Sequence, residues 1–366
     1  MNSRGLLARL EDFRLLPIFV VVSMAIGIGI GNVLSISDFT LTPPIEALKA
    51  IAGGRFVLTV PSAISLGVPI GLFLMMYPAM TNVRVTEIGQ AFRSPRQLGV
   101  VLFFNFLVAP FFMLMLANIF VSDPELRTGL ILYGLAPCIA MVIIFTYLAK
   151  GNVPMALVFV ALNSVIQMLL IPVYARLLIG DVSFDVSVVA QSVVLYLGLP
   201  LVAGALTRQV VVRRGGEAAM DRLKPGLNAV SILGLLFTLI VMFALKGDLI
   251  LQRPQIVLEM AVPMAIFFFT MFSVVYLVSA RLGFSYEDAV AVAFNSTGRD
   301  FEIAIAIAIT AFSPAVALAT VVGPLIEVPV MLALVWGAGR SRPRLFGASG
   351  TSSAVQMAST GPPHKV

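Results

Sequence analysis

The sequence predicts an all-α polytopic membrane protein. It has ten transmembrane helices in two inverted five-helix repeats, with broken helices four and nine crossing at mid-membrane. Three observations carry this. First, 59% of the 366 residues are hydrophobic and only 11% charged, with a mean hydropathy of +1.02, whereas a soluble domain carries about 25% charged residues. Second, ten apolar runs of bilayer-crossing length follow one another. Third, Arg299, Asp300 and Glu302 stand in Asn-Ser-Thr-Gly-Arg-Asp-Phe-Glu (295–302), between Ala-Val-Ala-Val-Ala-Phe (289–294) and Ile-Ala-Ile-Ala-Ile-Ala-Ile (303–309). A charge at membrane depth costs about 2.5–3.5 kcal/mol on the insertion scale and, where it survives, faces a polar pathway. The adjacent Gly298 marks a helix interruption, and broken helices at mid-depth are where transporters bind solutes and coupling ions.

The runs lie near 16–34, 56–80, 98–121, 128–149, 154–178, 187–210, 227–246, 255–280, 288–312 and 315–337. With the N-terminus in the cytoplasm, 17 of the 24 Lys and Arg fall on the inner side and 6 on the outer, Arg299 being the one within a span. This asymmetry places both termini in the cytoplasm of a plasma membrane, here a prokaryotic inner membrane. It also accounts for the net charge of +6 without nucleic acid as a partner. Residues 1–15 read as a cytoplasmic segment with no cleavable signal peptide. Residues 16–178 form the first repeat and 187–337 the second. The stretch 211–226 reads as the longest cytoplasmic loop between spans, and 345–366, rich in Gly, Ser, Ala and Pro, as a disordered cytoplasmic tail.

Internal similarity supports the repeat. A shift of 160 residues lays spans four and five over nine and ten, bringing Pro154 onto Pro314, Pro137 onto Thr297, Cys138 onto Gly298, Asn163 onto Gly323 and Gln167 onto Glu327. Five-span halves necessarily have opposite orientations, and inverted repeats with paired broken helices are a transporter plan.

Candidate site residues gather at these places. In span four, Gly134 and Pro137 predict a break beside Cys138, since proline removes a backbone donor. Half-helices starting near Cys138 and near Asp300 aim positive dipole ends at the same depth, favouring an anion or an oxygen-rich neutral solute. A lone Cys is most simply a small apolar filler; beside a helix start it becomes a soft ligand. In span ten, Glu327 of Gly-Pro-Leu-Ile-Glu-Val-Pro-Val (323–330) is too deep to reach the interface. It suits a proton relay, or a bond to backbone freed by Pro324 or Pro329. Asn163 and Gln167, one turn apart in span five, share a face and serve either solute contact or interhelical bonding. Arg299 and Asp300 can neutralise each other, which leaves Glu302 needing another partner. Gly27, Gly29 and Gly31 read as helix-packing glycines, with no strand before them to make a nucleotide loop. The 17 Met and 26 Phe are lipid-facing or packing material. The one Cys excludes an internal disulfide, and the one His, His364, lies in the tail. No catalytic or zinc motif occurs, so no enzyme, cofactor or metal centre is expected; an enzyme with Cys138 as nucleophile would have no intramembrane His to activate it.

Several stretches together carry a family resemblance. They are Leu-Phe-Leu-Met-Met-Tyr-Pro (72–78), Arg-Thr-Gly-Leu-Ile-Leu (127–132), Cys-Ile-Ala-Met-Val (138–142), Val-Ala-Leu-Asn-Ser (160–164), Phe-Glu-Ile-Ala-Ile-Ala (301–306) and Val-Val-Gly-Pro-Leu-Ile-Glu-Val-Pro-Val (321–330). On them the chain resembles the arsenical-resistance arsenite efflux permeases of the bile acid/sodium symporter superfamily, over roughly residues 14–340. The family's essential span-four cysteine falls on Cys138 and its essential span-ten glutamate on Glu327. The resemblance implies export of trivalent arsenic (arsenite or antimonite) from the cytoplasm, driven by proton entry. Three departures stand out. Pro137 replaces the family's usual Arg before the cysteine, Phe145-Thr146-Tyr147 its Trp-Asn-Asp, and Gly298-Arg299-Asp300 its Ser-Asn-Asn. One arginine is missing at one break and one has appeared at the other. Trivalent arsenic is soft, and one thiolate with oxygen ligands would hold it exchangeably. On this reading Cys138 makes the soft contact, Glu327 exchanges a proton, and Asn163, Gln167, Arg299, Asp300 and Glu302 line or brace the crossing. The alternative is a sodium-coupled transporter of a small organic anion, or a transporter of an organic arsenical; a sensor signalling through the tail would need an output domain, and none is seen.

Overall fold

The computed structural model describes residues 16–34, 60–82, 92–139, 141–180, 184–252 and 255–346. The expectations for 1–15 and for the tail beyond 346 lie outside the described residues. Among the described residues the chain is helical, without strands, and four helices are long and apolar enough to cross a membrane: Pro95–Phe120, Val153–Leu178, Val186–Val241 and Gln255–Arg281.

Helices α1 (Leu16–Leu34) and α2 (Val60–Asn82) come first. Next are α3 (Pro95–Leu102) and α4 (Ala109–Phe120), joined by a π-helical turn over Phe103–Val108. Helices α5 (Pro124–Leu135) and α6 (Met141–Leu148) occupy the fourth apolar run, with a break between them. Helix α7 is Val153–Leu178. Helix α8 (Val186–Val193) passes through a second π turn, Val194–Gly198, into α9 (Leu199–Gln252). Helix α10 is Gln255–Arg281. Helices α11 (Tyr286–Thr297) and α12 (Phe301–Ala311) share the ninth run, again broken, and α13 (Pro314–Val321) and α14 (Gly323–Leu345) complete the described chain.

Short polar side chains fix the helix starts. Asp123 accepts from the Glu125 and Leu126 amides, Asn152 from Met155, Ser285 from Asp288, Asp300 from Ile303 and Ser313 from Val316. Each satisfies amides that a helix N-terminus leaves without an intrahelical acceptor. The stretch 211–226 corrects the sequence reading: it is helical rather than a loop. Within α9 only Gly216 departs, with φ 69° and ψ −175°, a conformation that glycine adopts without a Cβ penalty. Two helices, one on either side of Gly216, meet at this kink.

Two bundles result. In the first, α9 packs along both α1 and α2. Glycines set its close approaches. A Cβ on Gly27 would lie 2.5 Å from the Ile240 carbonyl oxygen and one on Gly31 2.4 Å from that of Ala244, whereas one on Gly29 would meet nothing within 4 Å. The packing role read from the Gly-x-Gly-x-Gly run therefore belongs to Gly27 and Gly31, four residues apart on one face. In the second bundle α10 packs against α4, α11 and α14, α5 against α4 and α13, and α7 against α8 and α11. Large side chains such as Leu169, Leu258 and Trp336 remain about two-thirds or more exposed (72%, 67% and 68%), as lipid-facing residues should.

The glycine contacts give a direct stability test. Gly31→Ala is expected to lower the thermal midpoint of the detergent-solubilised protein, since overpacking a tight contact costs about 1–3 kcal/mol. Gly29→Ala is expected to leave the midpoint unchanged or raise it slightly, glycine being the poorer helix former. Equal effects of the two substitutions would refute the one-face assignment.

Candidate functional site

The two helix breaks meet. Residues 136–138 and 298–300 run antiparallel, and Pro137 and Arg299 pair as an isolated β-bridge. The Cys138 amide donates to the Gly298 carbonyl at 3.0 Å and the Asp300 amide to the Ala136 carbonyl at 2.8 Å. These two bonds flank the bridge, so 137 and 299 are a non-hydrogen-bonded pair whose own amides take no part in it. Proline at 137 thus costs no bond in the bridge. The Arg299 amide is left to donate elsewhere, and it reaches Glu327 Oε1 at 3.3 Å.

Glycine makes the crossing possible. A Cβ on Gly298 would fall 2.3 Å from Val142 Cγ1 and 3.0 Å from Cys138 Cβ. Cys138 is a buried free thiol that lies in the break itself, three residues before α6 begins. It belongs to the same hydrophobic cluster as Val142 and Phe145.

Arg299 is wholly buried. Its guanidinium donates from Nε to the Thr297 carbonyl (3.2 Å), from Nη1 to the Gly134 carbonyl (3.3 Å), and from Nη2 to the Ser296 carbonyl (2.6 Å) and Asn105 Oδ1 (2.7 Å). Its carbon lies 5.4 Å from the centre of the Phe267 ring, within cation–π range. Gly134 lies in the last turn of α5, and Ser296 and Thr297 in that of α11. The cation therefore sits where two half-helices present unsatisfied carbonyls and the negative ends of their dipoles. Neutralisation of Arg299 by Asp300 is not what the chain does. Among the described residues no carboxylate forms an ion pair with the guanidinium, and Asp300 instead caps α12 through the Ile303 amide at 3.1 Å. Asp300 at the N-cap and Glu302 in the first turn of α12 both stand at its positive end, and both are buried.

Glu327, fully buried on α14, joins this crossing. Besides the Arg299 amide it accepts the Tyr133 hydroxyl at 2.6 Å on Oε2. Its partners are thus a tyrosine of α5 and the break, rather than backbone freed by Pro324 or Pro329. Gly323 lets the ring in: a Cβ there would lie 2.6 Å from Tyr133 Cε2.

Asn163 and Gln167 are fully buried on α7, and none of their amide nitrogens and oxygens has a partner; Asp300 Oδ2 and Ser296 Oγ are likewise unpaired. Among the described residues, interhelical bonding, one of the two roles expected for the pair, is absent. Buried polar atoms without partners are expensive, and they concentrate at functional sites.

Two members of the crossing were not singled out in the sequence. Tyr133 lies 194 positions from Glu327 and Asn105 the same distance from Arg299, so only the tertiary fold reveals them. Asn105 does carry a signal: a polar residue inside Phe-Phe-Asn-Phe-Leu-Val (103–108). The π turn, of a kind that occurs often at functional sites, holds it. Its Nδ2 donates to the Asn295 carbonyl at 2.9 Å while its Oδ1 receives Arg299.

Residues 69–253 match the model of the Sodium Bile acid symporter family. The chain belongs to that family. The Arsenical-resistance protein Acr3 of Corynebacterium glutamicum is 34% identical over 346 residues, spanning 90% of this chain and 90% of the relative. The Arsenical-resistance protein Acr3 of Alkaliphilus metalliredigens is 33% identical over 345 residues, or 90% and 92% of the two chains. An uncharacterized transporter of Synechocystis sp. is 33% identical over 360 residues, or 92% and 90%. This member of the Sodium Bile acid symporter family is accordingly a multi-pass membrane transporter, and the paired breaks are its candidate solute site.

The Tyr133–Glu327 bond can be measured. Tyr133→Phe is expected to cost about 1–3 kcal/mol by stranding a buried acceptor. Combining it with Glu327→Gln is expected to be non-additive, as for residues sharing one bond. Additive losses in the thermal stability of the four proteins would mean that the bond contributes nothing.

Proposed function

We propose that the chain is a secondary active transporter exporting trivalent arsenic, as arsenite or antimonite, from the cytoplasm in exchange for protons. The observation that carries this reading is the single buried thiol of Cys138 in one break, bonded through its amide to the other break, with Glu327 held one residue further along that second break. Two arsenical-resistance relatives aligned over 90% of the chain support the choice of cargo.

In the proposed cycle, Cys138 Sγ makes one soft contact to the metalloid, and oxygen ligands complete a site that releases as well as binds. The unpaired amides of Asn163 and Gln167 are available to hydroxyl groups on the solute. Glu327 gains and loses the proton at a carboxyl already positioned by Tyr133 and the Arg299 amide. Ten spans in two inverted five-helix repeats, 16–178 and 187–337, with both termini in the cytoplasm, place the breaks at mid-membrane. Rocking of the α1–α2–α9 bundle against the other then exposes them to either side in turn.

A second reading, an organic arsenical or a small organic anion moved with sodium, draws on the departures at Pro137, Phe145-Thr146-Tyr147 and Gly298-Arg299-Asp300. The position of Arg299 weighs against it. Residues 137 and 299 are bridge partners, so a cation absent from one break stands directly across from its usual place on the other. The cation has moved within one site, leaving the cargo unchanged.

Arsenite uptake into everted vesicles under an imposed proton gradient decides between the readings. Wild-type uptake is expected to require the gradient, and Cys138→Ser and Arg299→Ala to abolish it at normal expression. A fully active Arg299→Ala protein would sink the account of the arginine. Gradient-independent uptake of an organic anion stimulated by sodium would replace the arsenic reading with the second. The exchange of sides has its own test: Pro137→Arg is expected to restore measurable uptake to Arg299→Asn.

A further inference from the structure

The turn of α9 at Gly216 carries positive charge that the crossing does not use. Before it, Leu199, Val202, Leu206 and Val210 are exposed, and their spacing of three or four residues makes one lipid-facing stripe. Arg213 continues that stripe and Arg214 lies beside it, both exposed. At 1.5 Å per residue, Arg213 stands about 4.5 Å beyond Val210 along the helix. That is within a headgroup layer roughly 5–8 Å deep on each side of the hydrocarbon. After the turn, exposed Arg222 adjoins Leu223, the first of an exposed line continued by Val230 and Phe237. The acids nearest in sequence are already committed. Glu217 accepts from Arg208 Nη2 on both oxygens, at 2.8 and 2.9 Å, and Asp221 takes Lys224 at 2.7 Å. Arg208 and Glu217 would lie half a turn out of phase in a straight helix, so their bond follows from the change of direction at Gly216. Among the described residues no carboxylate pairs with Arg213, Arg214 or Arg222.

We infer that this turn docks the phosphate headgroups of anionic phospholipids through Arg213, Arg214 and Arg222. A guanidinium pairs bidentately with phosphate, and a leaflet containing anionic lipid attracts basic side chains at its surface. The membrane, rather than a soluble anion, is the partner because the arginines extend a stripe that already faces lipid. Helices α1 and α2 both pack along α9, so the contact tethers the first bundle to one leaflet. The inference concerns the surface of α9 and holds whichever solute the crossing carries.

The test places the purified full-length protein in nanodiscs of phosphatidylcholine alone, or of phosphatidylcholine mixed with phosphatidylglycerol, and follows the thermal midpoint. Wild type is expected to gain several degrees in the mixed discs and to lose that gain as added salt screens the charges. The triple variant Arg213→Gln, Arg214→Gln, Arg222→Gln is expected to match wild type in phosphatidylcholine, since all three side chains are exposed. It is expected to gain nothing from phosphatidylglycerol. The inference is overturned by a wild type indifferent to phosphatidylglycerol or by a triple variant that keeps the gain. It is equally overturned by a triple variant already destabilised in phosphatidylcholine, which would make the arginines packing residues. The same gain from inorganic phosphate in phosphatidylcholine discs would replace the lipid with a soluble anion. A dimer lost only in the detergent-solubilised variant would replace it with a second copy of the chain.

Discussion

A buried guanidinium has to be surrounded by acceptors, and the architecture at the crossing follows from supplying them. An isolated charge taken into a low-dielectric interior costs many kcal/mol unless hydrogen bonds replace its hydration. Here the acceptors come from interrupting two helices. Each break frees carbonyls that an intact helix would have kept for itself, and Arg299 collects those of Gly134, Ser296 and Thr297. The breaks and the charge are thus mutually dependent. Without the arginine the carbonyls would be stranded in an apolar bundle; without the breaks the arginine would have nothing to bond.

The same interruption sorts the remaining charges by sign. The carboxyl groups of Asp300 and Glu302 lie at the N-terminal end of α12, and the guanidinium at the C-terminal ends of α5 and α11. Each charge meets the half-helix pole that favours it. No direct Arg–Asp pair is needed, and avoiding one leaves Asp300 Oδ2 unpaired beside the candidate solute site. A salt bridge there would have consumed the polar capacity that a transport site uses.

How much of this was legible depended on the range of each interaction. Hydropathy marks the helices because burial in lipid acts on every residue of a segment, so the α7 and α10 boundaries fall within a residue of those expected. The break at Gly298 was readable because three ionisable residues interrupt an apolar run. The stretch 211–226 misled because its charges and Gly-Gly pair suggest a loop, whereas charged residues are also good helix formers and Gly216 alone absorbs the change of direction. Tyr133 and Asn105 were hidden for another reason. Both are single polar groups in apolar helices, and what they do is defined by partners on distant segments. The mutual neutralisation expected of Arg299 and Asp300 failed on geometry: adjacency in an extended break points consecutive side chains in opposite directions, one into the carbonyl cage and one onto the helix it caps.

Proline at 137 shows how a bridge can admit a residue that lacks an amide proton. An antiparallel bridge alternates between pairs that exchange hydrogen bonds and pairs that do not. Pro137 and Arg299 form the second kind, with the bonds carried by Ala136, Cys138, Gly298 and Asp300. A residue lacking an amide proton is tolerated at such a position, and its partner's amide is released to hold Glu327. The register that admits the proline is therefore the register that ties the acidic residue of α14 to the crossing. Moving the bridge by one residue would place an amide-less residue where a bond is required and would withdraw the Arg299 amide from Glu327. The bridge register joins the Cys138 thiol, the Glu327 carboxyl and the Arg299 guanidinium into one unit.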